Sequence, residues 1–386
     1  MYKVSIVKCD NYDPENVFDA VKKAVDLIGI DLKKKVLSDE NVLIKPNFCN
    51  NCKPNEAITT HPEVIKAILQ LIESYGIYDM DILIGDNSVG RDEPEYLDVV
   101  YKTCGVDDII GTYCCKKDYL NNDIKAYGCT IDGKEHFFYL SEKILATSFI
   151  INVPKFKTHG LMTYTGAIKN LYGMIPGNTK RRLHVELPNK KQFAELLVNM
   201  HDLIRPGLNI VDAVVGIEGE GPSKGGKKRK IGYIIASENA LAVDIVAAMI
   251  MGIDYWQVPT NNYAYQYYGI KSIDDFLEIV GEPMEQCIQS DFILPNTVLF
   301  NDELTERMFL ISTPKLVIDT DKCERCMMCL KNCPKGAIRI SVNDNVQIDT
   351  SECISCMICM EICPFAAVKS KLPTIYKQLK ALKRRK

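Results

Sequence analysis

The sequence has no apolar segment long enough to cross a bilayer, which requires about 18 consecutive apolar residues. The best candidate, Leu241 to Ile253, is interrupted by Asp244. The first residues, Met1 to Ser5, read as the start of a β-strand and lack the basic stretch and apolar core of a secretory signal peptide. We therefore expect a cytoplasmic protein that does not bind membranes.

The sequence also lacks an excess of charge of one sign. Its 47 Lys and Arg nearly balance its 50 Asp and Glu, which leaves a formal charge of −3 and no electrostatic basis for nucleic-acid binding. No G-x-G-x-x-G follows a strand and opens a helix, so NAD or flavin binding of that type is unsupported. Gly221-x4-Gly226-Lys227 resembles a phosphate-binding loop, but Lys228 stands where such a loop needs Ser or Thr.

Cysteine, in contrast, is abundant. The chain has 16 cysteines, and C-x2-C-x2-C-x3-C-P occurs twice, 30 positions apart. This spacing holds two [4Fe–4S] clusters, and the fourth cysteine of each run binds the other cluster. The expected ligands are Cys323, Cys326, Cys329 and Cys363 for one cluster, and Cys353, Cys356, Cys359 and Cys333 for the other. Zinc ribbons would need CxxC pairs separated by a longer loop, and a disulfide framework would need an oxidising compartment.

The segments around the two cysteine runs repeat as well. Leu316–Thr320 precedes the first run, and Val346–Thr350 stands 30 positions later, before the second. Each half is predicted to be a short strand, a cysteine loop, a brief helix and a return, with a pseudo-twofold axis between the halves. The region from Leu316 to Val368 resembles the bacterial two-cluster ferredoxins, which implies single-electron transfer. Because so small a module buries little surface, we expect cluster assembly to be part of its folding.

These patterns divide the chain into an α/β domain (1–312), a small α+β dicluster ferredoxin-like domain (313–370) and a basic tail (371–386). Ile375, Leu379 and Leu382 recur at helical spacing in the tail, which is predicted to be a helix lying across the main domain. Alternatively, the tail contacts an acidic redox partner. Cysteines without a secretion signal favour a reducing cytosol, and low-potential clusters favour an anaerobic one.

The first 312 residues alternate between apolar strand-like segments and helical patterns. Val4–Val7, Val42–Ile44 and Asp81–Ile84 read as strands, and helical patterns such as Val17–Ile28 and Pro62–Tyr75 follow them. This alternation predicts a largely parallel sheet with flanking helices. In such sheets the ligand site lies beyond the carboxyl ends of the strands.

The predicted carboxyl ends are unusually polar. The polar residues there include Lys45, Asn47, Asp86, Lys155, Lys157, His159, Lys169, Asn170 and Glu218. Any one of them is more often a solvated loop residue than a ligand, but their recurrence at successive strand ends predicts a binding site. Its four lysines would stabilise negative charge on a carboxylate, phenolate or enolate oxygen.

The same segments are similar to a family known as domain of unknown function 362. The similar segments are KPN at Lys45, TTHP at Thr59, GDNS at Gly85, NVPKFKTH at Asn152, TGAIKNLYG at Thr165, IEGEGP at Ile217 and LAVDIVAAMIMG at Leu241. The resemblance covers nearly the whole N-terminal domain and implies an iron–sulfur redox protein without a settled substrate. Cys49-Asn50-Asn51-Cys52 departs from the family: it could be a redox pair or a ligand pair, although incidental thiols are favoured.

The favoured hypothesis is an iron–sulfur oxidoreductase: a ferredoxin-fed reductase of a small anionic or unsaturated carbonyl compound. His159, Lys157 and Lys155 are the predicted catalytic residues, with His159 as proton donor because its reference pKa lies near neutrality. The predicted substrate-binding residues are Lys45, Asn47, Asp86, Lys169, Asn170 and Glu218. The alternatives are an electron carrier or adaptor that docks onto a partner oxidoreductase, and a protein that holds a cofactor for delivery. A redox partner protein is expected to supply or accept electrons.

Overall fold

The structure is a computed structural model that describes residues 1–37, 41–77, 80–88, 93–297 and 315–371. Within these ranges, no helix is long and apolar enough to cross a membrane. The predicted tail helix and the predicted domain boundary at residues 312–313 lie outside the described residues.

A ten-stranded, mostly parallel sheet forms the centre of the N-terminal domain. The strands of this domain are β1 (Tyr2–Lys8), β2 (Asn41–Lys45), β3 (Asp81–Gly85), β4 (Lys116–Asp118), β5 (Ile124–Ile131), β6 (Lys134–Ser141), β7 (Phe149–Asn152), β8 (Lys155–His159), β9 (Thr163–Tyr164), β10 (Leu208–Gly219), β11 (Gly226–Ser237) and β12 (Leu277–Gly281). The strand order is β12-β1-β11-β10-β7-β2-β3-β4, β8 pairs with β10 and β9, and β5 and β6 form a separate hairpin. The β1–β11, β10–β11 and β8–β9 pairs are antiparallel, and the remaining pairs of the sheet are parallel.

Helices cover both faces of this sheet. They are α1 (Pro14–Ile28), α2 (Leu32–Leu37), α3 (Pro62–Ser74), α4 (Pro94–Thr103), α5 (Val106–Ile110), α6 (Glu142–Ala146), α7 (Gly166–Asn170), α8 (Gly177–Glu186), α9 (Lys190–Ile204), α10 (Ala240–Ile250), α11 (Pro259–Tyr267), α12 (Ile273–Phe276) and α13 (Met284–Cys287). Side chains alternate between two apolar layers because successive residues of a strand point to opposite faces. Val42 and Ile44 pack with α1 and α3, whereas Leu43 packs with α9 and α10. The predicted α/β class is confirmed.

The segment Lys155–His159 is a strand, β8, although its sequence reads as a polar loop after β7. Pro154 separates it from β7, and the chain resumes as a parallel neighbour of β10. All five of its residues are buried. Phe156 packs against Tyr164 and Phe292 in the core. Because strand side chains alternate, Lys155, Lys157 and His159 share the opposite face. The polar residues of this segment are therefore buried in the protein and not exposed in a surface loop.

The ferredoxin domain has four strands, β13 (Lys315–Ile318), β14 (Ile338–Ile340), β15 (Val346–Ile348) and β16 (Val368–Lys371), and two short helices, Met328–Asn332 and Ile358–Glu361. Its halves interlock, because β13 pairs with β16 and β14 pairs with β15. Equivalent hydrogen bonds of 2.7 Å, from Asp319 N to Ala367 O and from Asp349 N to Ala337 O, repeat across the halves. The two cysteine loops also share left-handed backbone at Met327 (φ 60°) and Met357 (φ 66°). This is the predicted two-half arrangement.

Candidate functional site

A cavity of about 60 Å³ lies between the N-terminal domain and the second half of the ferredoxin domain. A water molecule needs about 10–15 Å³ on this measure, so the cavity has room for a small molecule. The residues lining it are Asn47, Cys49, Asp86, Asn87, Lys157, His159, Thr165, Lys169, Asn170, Tyr172, Gly173, Lys180, Arg181, His184 and Pro222 of the large domain, with Ile358 and Glu361 of the ferredoxin domain.

The cavity brings together six of the residues predicted from the sequence. These are Asn47, Asp86, Lys157, His159, Lys169 and Asn170. Lys45 stands directly behind them, with its Nζ 2.8 Å from Asp86 Oδ1. Lys155 and Glu218 do not line the cavity.

Lys45 and Asp86 form a buried ion pair in the cavity wall. Burial lowers the pKa of the Lys45 ammonium, and the Asp86 carboxylate opposes that shift. Phe48 N donates to Asp86 Oδ2 at 2.5 Å, and Lys45 Nζ also donates to Pro46 O at 2.7 Å. A Cβ on Gly173 would lie 2.2 Å from Asp86 Oδ1, so only glycine fits beside this pair. Each charge thus has the other as its ion-pair partner and one further hydrogen bond, although Asp86 Oδ1 itself has no hydrogen bond among the described residues. The pair is therefore a fixed support rather than a free ligand.

A chain of amide side chains crosses the carboxyl ends of the strands. Asn47 Nδ2 donates to Asn170 Oδ1 at 2.7 Å, Asn170 Nδ2 to Asn152 Oδ1 at 2.8 Å, and Asn152 Nδ2 to Asn209 Oδ1 at 2.9 Å. Asn47 Oδ1 is buried and has no hydrogen-bond partner among the described residues. An acceptor left unpaired beside a cavity costs free energy unless a ligand donates to it.

Two of the cavity lysines, Lys157 and Lys169, differ in their contacts. Lys157 Nζ donates to Ile58 O at 2.7 Å. Lys169 Nζ lies 6.0 Å from the centre of the Tyr172 ring, and no described residue gives it a hydrogen bond or an ion pair. Burial lowers the pKa of the Lys169 ammonium, while Glu361 raises it. The ammonium of this partly buried lysine therefore has donors that an anionic ligand would satisfy.

His159 faces Glu361 of the ferredoxin domain. Leu161 N and Met162 N donate to His159 Nδ1 at 3.0 and 3.2 Å, so the proton of the neutral ring sits on Nε2. Nε2 lies 2.9 Å from Glu361 Oε1, but the two atoms are poorly aligned for a hydrogen bond. Burial lowers the pKa of His159 to about 4. Burial would raise the pKa of Glu361, but His159 and Lys169 bring it to about 2. At neutral pH a carboxylate therefore faces a neutral imidazole N–H.

Sequence reasoning missed the contributions of α8 and of Glu361. Lys180 Nζ donates to Asn87 O at 2.7 Å, and Arg181 Nη1 reaches Asn332 of the ferredoxin domain at 3.5 Å. His184 stacks on Phe193 with ring centres 4.5 Å apart, and burial lowers its pKa to about 3. One signal for Glu361 exists: the equivalent position of the first half, 30 residues earlier, is the exposed Lys331.

Lys155 belongs to a separate buried network. Its Nζ lies 2.7 Å from Asp212 Oδ2 and 2.6 Å from Tyr12 Oη. Tyr12 Oη donates to Asp212 Oδ1 at 2.8 Å, and His61 N donates to Asp212 Oδ2 at 2.9 Å. Since every charge here has partners, the network fastens β8 and β10 to the loops before α1 and α3.

Glu218 and Asp244 also serve the fold. Glu218 Oε2 accepts from Ile293 N at 3.1 Å and lies 3.6 Å from Arg229 Nη1. Asp244 caps α7 rather than its own helix, since Ala167 N and Ile168 N donate to it at 2.6 and 3.0 Å. Burial raises the pKa of Asp244 to about 7. A Cβ on Gly166 would lie 2.6 Å from Asp244 Oδ2, so glycine is required there too.

The cysteines of the ferredoxin domain gather in two groups that cross the halves. Cys323, Cys326, Cys329 and Cys363 surround a cavity of about 20 Å³. The other group includes Cys333, Cys353 and Cys356. Burial raises the pKa of Cys356 most, Glu361 raises it further, and the neighbouring thiols of Cys333 and Cys353 add to this rise. Among the described residues, no three Cys, His, Asp or Glu side chains converge closely enough to hold one metal ion. Four thiols around a small void fit an iron–sulfur cluster better than a single zinc.

Protonation of His61 should weaken the fold in mild acid. His61 stacks on Tyr12 at 3.7 Å, and its Nδ1 accepts from Glu63 N at the start of α3. Burial lowers its pKa to about 4 from 6.5. The unfolded chain therefore binds this proton first, and stability falls as the pH drops from 6.5 towards 4, by up to about 1.4 kcal/mol per pH unit. Asparagine keeps a capping acceptor without this titration, so His61→Asn should flatten the dependence of the urea midpoint on pH between 6.5 and 5. Equal slopes in both proteins would contradict the prediction.

The comparisons with known proteins agree with this architecture. The family described as Domain of unknown function (DUF362) matches residues 42–249, and the family described as 4Fe-4S dicluster domain matches residues 315–364. Because the first match spans more than half of the sequence, the chain belongs to the DUF362 family. The second match shows a ferredoxin domain of the kind that binds [4Fe–4S] cofactors. The chain is therefore an iron–sulfur electron-transfer protein.

Two individual proteins are similar to the chain. The thylakoid-associated protein sll1697 of Synechocystis sp. is 29% identical over 263 residues, which cover 67% of this chain and 77% of that protein. The lactate racemase apoprotein of Thermoanaerobacterium thermosaccharolyticum is a solved structure with 13% identity and a TM-score of 0.38. That match covers 55% of this chain and 50% of the racemase chain.

Proposed function

We propose that the chain is a reductase that passes electrons from two [4Fe–4S] clusters to a small anionic or carbonyl-bearing molecule in the cavity. The observation that carries this proposal is the shared wall: Ile358 and Glu361, on the helix that also carries Cys359, face the unpaired Lys169 across the cavity. Each cluster, when bound, supplies one electron at a time.

The proposed cluster ligands follow the two thiol groups. Cys323, Cys326, Cys329 and Cys363 hold the outer cluster, and Cys333, Cys353, Cys356 and Cys359 hold the cluster next to the cavity. Burial raises the pKa of the cavity residue Tyr172, and Glu361 and Cys356 raise it further. This influence of Cys356 supports a position of the second group next to the cavity. Cys326 is exposed. The outer cluster is therefore the proposed contact for a redox partner protein that supplies electrons.

The charges of the cavity favour an anion. Lys157 and Lys169 line the cavity together with the carboxylates Asp86 and Glu361. Asp86 is already paired with Lys45, which leaves two ammonium groups and one carboxylate, Glu361. Lysine ammonium groups in such a site stabilise negative charge as it develops on a substrate oxygen during reduction.

The ligand should also carry a hydrogen-bond donor. Asn47 Oδ1 and Asn87 Oδ1 are buried acceptors without partners among the described residues, and Thr165 Oγ1 is likewise unpaired there. A small carboxylate with a hydroxyl or an amide group could donate to these acceptors and bind Lys169 through its carboxylate. We assign ligand binding to Lys169, Asn47 and Asn170, and structural support to Lys45 and Asp86.

His159 is proposed to act as a neutral imidazole that donates a hydrogen bond to the substrate oxygen on which charge develops, rather than as the source of a proton. Its low pKa leaves the ring uncharged at neutral pH, with the Nε2 proton directed towards the cavity and Glu361. A neutral imidazole N–H can still hydrogen-bond to a developing oxyanion. Lys157 lies two residues away on the same strand face and supplies positive charge, whereas Lys155 positions β8 through Asp212.

The test is an anaerobic reoxidation assay. Dithionite-reduced protein, freed of excess reductant, is mixed with single members of a panel of small oxo-, hydroxy- and unsaturated carboxylates, and the cluster absorbance is followed. We expect reoxidation by one class of compound in the protein alone, and its loss in Lys169→Met. Lys227→Met, on the exposed part of β11, is the matched control and should behave as wild type. Reoxidation only after addition of a protein fraction would favour an electron carrier instead.

We also place the protein in a reducing, anaerobic cytoplasm. All sixteen cysteines lie in the described part of the chain, and none of them forms a disulfide there. Eight of them fall outside the cluster runs, and thiols of this number persist in a reducing compartment.

A further inference from the structure

Cys49 lines the cavity, and Cys52, three residues later, is buried and is not among the lining residues. The backbone between them turns tightly, since Cys52 N donates to Asn50 O at 2.8 Å. Cys49 packs against the small buried cluster that contains Cys52. The two thiols are therefore neighbours in space as well as in sequence.

The side chain of Asn50 connects this pair to the ferredoxin domain. Its Nδ2 donates to the backbone oxygen of Glu361 at 3.1 Å. Its Oδ1 accepts from Cys52 Sγ at 2.7 Å. Glu361 lies between Cys359 and Cys363. One amide group thus joins the helix that presents cluster thiols to the thiol of Cys52 through two hydrogen bonds.

We propose that Cys49 and Cys52 form a redox-active dithiol that exchanges two electrons with the ferredoxin domain. On reduction, the Cys49–Cys52 disulfide takes up two electrons, delivered singly by the reduced clusters, and two protons. The S–S bond breaks and two S–H bonds form. On oxidation, the same electrons and protons leave for a two-electron acceptor. The proposal rests on the electron-transfer role of the ferredoxin domain and is independent of which small molecule the cavity reduces.

This pair complements the clusters chemically. Each cluster carries one electron, whereas reduction of a carbonyl or a double bond requires two. A dithiol beside the cavity stores both. Burial raises the pKa of Cys52 to about 12 and also raises that of Cys49. Both thiols stay protonated at neutral pH, so exchange with external thiols is slow, and the electrons must arrive through the protein.

The test counts electrons in the cluster-loaded protein. Protein oxidised anaerobically with a mild dye is titrated with dithionite, and samples are acid-quenched, alkylated and analysed as peptides. We expect wild type to take up two more electrons per chain than the Cys49→Ser/Cys52→Ser double variant. The peptide with both cysteines should carry a disulfide before the titration and two alkyl groups after it. Asn50→Ala should slow this conversion at least several-fold without changing the electron count.

Cys104→Ser is the matched control. Cys104 is a third buried thiol, and its Sγ donates to Cys52 O at 3.6 Å, but it lies outside the turn from Cys49 to Cys52. This variant should keep the two extra electrons. Equal electron counts in wild type and the double variant, with the peptide alkylated twice in both states, would overturn the proposal. If the double variant fails to assemble clusters, the alkylation state of the wild-type peptide decides alone. No small-molecule substrate is used, so failure of the reductase proposal leaves this test intact.

Discussion

Serine in place of Cys356 should remove about half or more of the iron and acid-labile sulfide from anaerobically purified protein. Each cluster depends on four thiolates, and loss of one weakens or abolishes its assembly. The void left by the lost cluster also removes support from Met357 and Ile358, which are buried in the same half. Metal and sulfide analysis, with the spectrum of the reduced protein, measures the effect. Cys114→Ser, at an exposed thiol outside the cluster runs, should keep the full content.

The spectra of the single cysteine variants should fall into two groups that follow the crossed arrangement of the ligands. Cys333→Ser should reproduce the spectrum of Cys356→Ser, although the two cysteines belong to different halves. Cys363→Ser should instead resemble Cys326→Ser, because Cys363 shares a cavity with Cys326. If Cys333→Ser resembles Cys326→Ser, each half holds its own cluster and the crossed arrangement is wrong.

The cluster domain and the edge of the site were predictable because simple geometric rules govern both. Thiol spacing in a cluster loop is set by the size of the cluster, so the pattern is readable from the sequence. The carboxyl ends of parallel strands meet at one edge, so residues after separate strands converge there. Asn47 follows β2 and Asp86 follows β3, and both line the cavity.

The remaining parts of the site depend on contacts that sequence spacing does not encode. Lys155 and Lys157 are two residues apart on one strand face, yet Asp212 holds the first away from the cavity and only the second lines it. His184 looks like part of a solvated basic helix, but α8 packs it onto Phe193. Glu361 is placed by domain docking, a contact between segments about 200 residues apart. Tertiary packing decided each of these positions.

Opposite charges from the two domains meet at the domain interface. Lys157 and Lys169 form no ion pair with the described residues of the large domain, and Asp86 in the same cavity is paired with Lys45. Enclosing such charges without a partner is costly. Glu361 of the ferredoxin domain brings a negative charge to this space, beside His159 and Lys169. The first half of the ferredoxin domain has the exposed Lys331 at the equivalent position. The charge at this position therefore distinguishes the half whose helix lines the cavity from the half whose equivalent residue is exposed.

Exchanging Glu361 for lysine should separate the two domains while leaving the clusters assembled. The change removes the partner of His159 and places an ammonium beside Lys169 and Lys157. Breaking a buried charge pair in this way costs about 3–5 kcal/mol, which is at least a hundredfold shift in the docking equilibrium. Hydrogen–deuterium exchange should increase at β8 and α7, and small-angle scattering should show a larger radius. Iron content should stay at the wild-type level, because Glu361 is not a proposed ligand.

Lys331→Glu is the matched control for this experiment, since it makes the reverse exchange at the exposed, symmetry-related position. It should leave exchange at β8 and the scattering radius unchanged. Glu361→Gln should fall between the two, because an amide oxygen still faces His159 Nε2 but the negative charge near Lys169 is lost. Unchanged exchange and radius in Glu361→Lys would show that apolar contacts, such as Met357 against Gly160, hold the domains together without this charge.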